Sequence, residues 1–107
     1  MIQHNSLEIN FHKEMLGIYR RAKEECGYLA TRFLQMVANN GGLKTAKKLL
    51  ATAEPSDGFT ELWEKHRLDL TVECLVLRPE YRPLFTDDEI ATARERLISY
   101  GYQFPKE

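Results

Sequence analysis

Apolar side chains recur at steps of three and four over the first third of the chain, where Phe11, Met15, Ile18, Ala22, Cys26, Leu29, Phe33 and Met36 fall on one helical face. Between them stand Lys13, Glu14, Arg20, Arg21, Lys23, Glu24, Glu25, Arg32 and Gln35, mostly strong helix formers placed where water is expected. The pattern predicts one uninterrupted helix from about Phe11 to Val37, closed by Asn39-Asn40-Gly41-Gly42. At 1.5 Å per residue such a helix spans about 40 Å. Leu16, Tyr19, Leu34 and Val37 widen its stripe at both ends, so it is expected to meet more than one neighbour.

Four shorter helices follow. Leu43 to Ala53 turns Ala46, Leu49, Leu50 and Ala53 inward and Lys44, Lys47 and Lys48 outward, and the glycine pair makes it an antiparallel or steeply angled neighbour of the long helix. After the break at Glu54-Pro55-Ser56-Asp57-Gly58, Ser56 or Asp57 caps a helix that buries Phe59, Leu62 and Trp63, with Trp63 as a core anchor. Leu68 to Leu77 reads as helix or strand. Helix is preferred, because Asp69 suits an N-cap, Glu73 suits a first turn and a lone strand has no partner. Pro79 and Pro83 call for an extended crossing through Glu80-Tyr81-Arg82, with Tyr81, Leu84 and Phe85 tucked onto the bundle.

Thr86-Asp87-Asp88-Glu89 is a capping box, flanked by Phe85 and Ile90 as a hydrophobic staple. It opens a last helix with Ile90, Ala93, Leu97 and Tyr100 inward and Gly101 at its end. The expectation is an all-α single domain over residues 1–107, one long N-terminal helix packed on several short ones, with residues 1–9 and 103–107 as flexible ends.

Composition narrows the functional classes. The chain has 107 residues, 43% hydrophobic and 29% charged, as in a soluble globular protein with one core. No apolar run approaches the ~20 residues of a membrane span. Met1 to Asn10 lacks the basic start and apolar block of a signal peptide, which points to the cytoplasm. Cys26 and Cys74 lie in apolar segments and are expected as reduced, buried thiols.

The net charge of -1 argues against binding nucleic acid by bulk electrostatics. Between Arg20 and Lys48, however, seven basic residues face two acidic ones, so Arg20, Arg21, Lys44, Lys47 and Lys48 are candidate phosphate contacts. The match to a helix-turn-helix is incomplete, since the third helix offers Glu61 and Glu64 where a groove-reading helix needs polar or basic groups.

Evidence for catalysis is thin. Glu8 and His12 share a helical face, with His4 one step back, but a metal site needs three or four ligands. His66, Asp69 and Glu73 could form a charged cluster at a turn; the competing reading has Arg67, Asp69 and Glu73 capping helix ends and pairing with one another. There is no glycine-rich phosphate loop, and no Arg followed four to six residues later by His as in one class of helical ribonucleases. No catalytic residue, cofactor or metal is assigned.

The segments Ala30-Thr31-Arg32-Phe33-Leu34-Gln35-Met36-Val37, Gly41-Gly42, Gly58-Phe59, Leu62-Trp63, Arg67-Leu68-Asp69-Leu70-Thr71-Val72-Glu73 and Leu84-Phe85-Thr86 together resemble a family of small bacterial proteins of unknown function. The resemblance covers most of the chain and implies a bacterial or phage cytosolic setting, with no activity to carry over. One position departs: His66 stands where that pattern has a glycine. The functional expectation is a protein-interaction or adaptor module. Its partner, or a second copy of the chain, would dock on the N-terminal half of the long helix around Phe11, Met15, Ile18 and Tyr19; nucleic-acid binding through the basic face is the alternative.

Overall fold

The long apolar stripe does not become one helix. In the computed structural model, which describes residues 2–104, α1 runs over Ile2–Cys26 and α2 over Thr31–Asn40, separated by a four-residue turn. Gly27 ends α1 with φ +66, a left-handed conformation that glycine adopts without a Cβ clash. The amides of Gly27 and Tyr28 close back onto the carbonyls of Lys23 and Ala22 at 3.1 and 3.0 Å. Tyr28 and Cys26 then pack on a small cluster of Ala22, Leu62 and Leu70. A glycine inside a helix costs about 1 kcal/mol relative to alanine, and here the turn brings α2 back against α1 instead of carrying it into water.

With 25 residues α1 is about 37 Å long, so it alone accounts for the longest dimension of 40 Å. The radius of gyration, 13.1 Å, is that of a single domain of this size. The helix begins at Ile2, well before the periodic stripe. Of the ends expected to be free, residues 1 and 105–107 lie outside the described residues, and Tyr102 and Phe104 stack edge to face at 5.0 Å with Arg94 over the Phe104 ring.

Gly41 caps α2 with φ +86, its amide reaching the Val37 carbonyl at 2.8 Å, and the chain turns at once into α3, Gly42–Leu50. This is the helical hairpin the glycine pair called for. Gly42 has a second duty: a Cβ on it would stand 2.7 Å from the His12 Cα, so α1 and α3 cross at a point only glycine allows. There the Gly42 amide, an orphan donor at the start of α3, donates to His12 Nδ1 at 2.9 Å.

The second half wraps the other flank of α1. Ser56 caps α4, Asp57–Glu64, by accepting from the Phe59 amide at 3.2 Å. A 3₁₀ turn over Leu68–Leu70 leads to the short α5, Val72–Val76, capped by Thr71 and not by Asp69. The Pro79–Leu84 segment, expected to be extended, is 3₁₀ helical: proline's fixed φ suits a first helical turn, and Pro79 opens this one. The turn swings Tyr81 and Phe85 edge-on against Phe11, at 5.1 and 5.4 Å. The last helix, α6, Asp87–Ser99, starts with the full capping box: Thr86 amide to Glu89 at 2.9 Å and Glu89 amide to Thr86 hydroxyl at 3.1 Å. Among the described residues every regular element is helical, and five helices have eight residues or more.

Several expected core members differ, among them Ala53, which is exposed because α3 ends at Leu50. Trp63 is 41% exposed, because the two-turn α4 packs down through Phe59 and Leu62 and leaves the next position on its flank. There its indole Nε1 donates to the Tyr100 carbonyl at 3.1 Å and its ring meets Tyr100 edge-on. Cys26 and Cys74 are unpaired as expected but only half-buried.

Candidate functional site

The turn at Gly27 leaves part of the apolar stripe uncovered. Leu29, Phe33 and Met36, spaced as one helical face on α2 and the turn before it, form one wall of a cleft of about 600 Å³. Thr52 and Pro55 of the α3–α4 connection, Gly58 in the first turn of α4 and the buried Ala22, Leu62 and Leu70 complete the lining. Leu29 is 58% exposed at the mouth. The volume falls within the 300–1,000 Å³ of ordinary ligand and side-chain pockets, and the walls are mainly apolar, as in such pockets.

The rim is polar and mainly acidic. Glu54 and Asp57 stand on the connection, with Arg32 opposite on α2. The Tyr28 hydroxyl titrates above its ordinary value because it is partly buried and lies near the carboxylates of Glu61 and Asp57, an effect Arg32 only partly offsets.

Glu73 contributes to the floor from α5. Its carboxylate accepts from Arg96 Nη1 of α6 at 3.0 Å, with the two side chains 4% and 9% exposed. The same guanidinium donates to the carbonyls of Leu49 and Thr52 at the end of α3. One arginine therefore joins α3, α5 and α6 and satisfies carbonyls that a helix end leaves unpaired. Burial raises the Glu73 pKa despite its own backbone hydrogen bond and the arginine beside it.

No known protein family, curated protein or solved structure matches the chain. What the clefts can do therefore rests on their own chemistry.

The residues singled out from sequence fare unequally. Phe11 and Met15 are 0% exposed and Ile18 5%, all in the chain's own core with Val37, Ala46 and Leu50, and Tyr19 is half-buried. Phe11, Met15 and Ile18 are thus core and present no surface for docking: α3 and the Pro79–Leu84 turn cover the N-terminal half of the stripe, and its exposed residue is Leu29, just before α2. The basic face is also divided. Lys47 pairs with Glu89 at 2.7 Å and lies over the Phe85 ring at 5.1 Å, which leaves Lys44 and Lys48 exposed beside it. Burial alone would raise the Glu89 pKa, but Lys47 and the Thr86 amide hold its carboxyl below the ordinary value. Arg20 and Arg21 line different depressions from these lysines.

The charged cluster at the α4–α5 turn splits apart. Glu73 turns inward to Arg96, while Asp69 accepts from Arg67 at 3.0 Å and Arg67 also reaches Glu25 of α1 at 2.7 Å. Among the described residues no group of three or more His, Cys, Asp or Glu side chains could hold a metal. His12, the candidate partner of Glu8, instead takes the hydrogen bond from Gly42; the side chain of His4 lies outside the described residues.

His66 is exposed with φ +62, at the left-handed position that ends α4, where the Arg67 amide closes onto the Leu62 carbonyl at 2.8 Å. A side chain there costs about 1 kcal/mol that glycine avoids. His66→Gly is expected to stabilise the protein by about 1 kcal/mol in urea titration. Destabilisation would mean that the imidazole makes a contact of greater worth.

Among the described residues no helix is long and apolar enough to cross a membrane.

Proposed function

We propose that this chain is a protein-interaction module of the bacterial cytoplasm, without chemistry of its own, that takes an apolar helical segment of a partner into the cleft beside α2. The observation that carries this reading is a mainly apolar cleft of about 600 Å³ with Leu29 58% exposed at its mouth and the half-buried Phe33 and Met36 of α2 along its wall. Such a surface costs solvation until another apolar surface meets it, at roughly 25 cal/mol per Å². Helix-in-groove recognition uses apolar clefts of this kind. Glu54 and Asp57 on the rim favour a partner with Lys or Arg next to its apolar anchors, through the charge complementarity that steers association.

Cys74 lines a different cleft, where burial pushes its thiol pKa up despite the hydrogen bond with the Tyr102 hydroxyl at 3.5 Å, so it favours the thiol over a nucleophilic thiolate.

Two synthetic helical peptides with the same leucine stripe, one flanked by Lys and one by Glu, test the reading by NMR titration of the Leu29 and Met36 methyl groups. The Lys peptide is expected to bind about tenfold more tightly than the Glu peptide, and Leu29→Glu to weaken it by about tenfold or more. Methyl resonances that stay in place with either peptide at about 1 mM would remove the proposal.

A further inference from the structure

Four arginines distant in sequence line one other cleft, of about 720 Å³: Arg21 on α1, Arg78 after α5, Arg82 in the Pro79–Leu84 turn and Arg94 on α6. They are half of the eight arginines in a chain whose net charge is -1, and no lysine joins them among the described residues. Composition does not produce such a concentration. Like charges gathered in one concavity repel, so an arrangement of this kind is most stable with an anion between them.

The carboxylates nearby neutralise it only in part. Asp69 is the one acidic residue in the lining among those described, and Arg67 already holds it at 3.0 Å. Arg78 donates to Glu14 at 3.2 Å, and Arg82 stands 3.9 Å from a 98% exposed Asp87 carboxylate, too far for a hydrogen bond. Arg21 and Arg94 meet no carboxylate among the described residues. Arg94 instead lies over the Phe104 ring, 5.7 Å from its centre. Arg21 lies between this cleft and a neighbouring depression: its guanidinium is 3.1 Å from where a Cβ on Gly17, which lines the latter, would stand. Between the arginines the lining is mainly apolar, with the half-buried Leu77 and the exposed Pro79 at its surface.

We infer that this cleft binds a small organic phosphate, with the phosphates among the arginines and an apolar or aromatic body against Leu77 and Pro79. Guanidinium forks match phosphate oxygens in pairs, and Arg is favoured over Lys where that planar recognition matters. A carboxylate offers two oxygens, fewer than four forks can use, whereas a diphosphate offers acceptors enough. The cleft volume suits a ligand of nucleotide size. Of its lining only the buried Ile18 and Thr71 also border the cleft beside α2, and neither assignment depends on the other.

Calorimetric titration of the full chain with ADP, inorganic pyrophosphate, succinate and a short single-stranded DNA tests it. ADP is expected to bind about tenfold more tightly than pyrophosphate, with succinate weaker still, and Arg21→Gln with Arg94→Gln to reduce ADP affinity by about tenfold or more while the circular dichroism stays unchanged. No heat from ADP or pyrophosphate at about 1 mM in low salt, or undiminished ADP binding by the double variant, would overturn the site. Pyrophosphate as tight as ADP would overturn the organic part of the assignment. DNA that outcompetes ADP would overturn the small-molecule part in favour of a polynucleotide backbone.

Discussion

Replacing Arg96 with methionine is expected to lower the unfolding free energy by about 3 to 5 kcal/mol, enough to remove much of the stability of a domain this size. The length of the side chain is nearly kept, so the loss is one of charge and hydrogen bonds. Glu73 would remain at the floor of the cleft, 3% exposed and unpaired, and the Leu49 and Thr52 carbonyls would lose their donor.

The pH dependence distinguishes this cause from lost packing. In the folded protein the Glu73 pKa is already raised by burial, so the folded state binds that proton more readily than the unfolded chain does. A raised carboxyl pKa disfavours folding at neutral pH, and the cost declines as pH falls through the folded value toward the ordinary one. Removing Arg96 raises it further. The gap between Arg96→Met and the parent should therefore be widest at about pH 7 and narrow toward about pH 5 in urea unfolding. Adding Glu73→Leu to Arg96→Met should recover most of the loss at neutral pH, since an apolar pair often replaces a buried ion pair at little cost. A gap independent of pH, or a double variant as weak as the single one, would show that the ion pair is not what joins α3, α5 and α6.

Ile18→Asp is expected to unfold the protein, at a cost above about 4 kcal/mol. The residue is 5% exposed among Phe11, Met15 and Val37, so the change removes a core side chain and places a carboxylate where none can be hydrated. Had the docking surface lain on the N-terminal half of the stripe, the same variant would be a folded, helical monomer. Leu29→Glu, eleven residues along the same periodic pattern, is expected to change stability by no more than about 0.5 kcal/mol, because Leu29 already stands 58% in water. Circular dichroism melts of the two decide the matter: a folded Ile18→Asp or an unfolded Leu29→Glu would contradict the arrangement described.

These two leucine and isoleucine positions show where the sequence was legible. Both lie on a stripe of period 3.6, and periodicity reports which side chains share a helical face without reporting what covers that face. Gly27 was the local signal for the break. The periodic stripe runs across it without a proline and gives no reason to stop; the reason is Tyr28 and Cys26 packed against Leu62 and Leu70, a contact a continuous helix would not make. Thr86, Ser56 and Gly41 behaved as expected because a cap is made by atoms within a few residues of one another.

The sites were hardly legible at all. Arg96 sits on α6 with Glu95 beside it and reads as a solvated helical charge; its partners Glu73, Leu49 and Thr52 lie on other elements. Arg21, Arg78, Arg82 and Arg94 have no common spacing to mark them as a set. Lys47 read as part of a basic face, and Glu89, brought to it by the packing of α3 on α6, changes that.

By itself the sequence determined the all-α class, the capping of α4 and α6, the hairpin at Gly41-Gly42 and the free state of the two cysteines, since each follows from helical periodicity, from short-range hydrogen bonding or from the apolar character of a segment. Only the tertiary structure decided which part of the long stripe is core and which is cleft, that Glu73 is paired internally, and that four arginines share one concavity. Those outcomes depend on which surfaces meet when elements far apart in the chain pack together, and no local pattern encodes that.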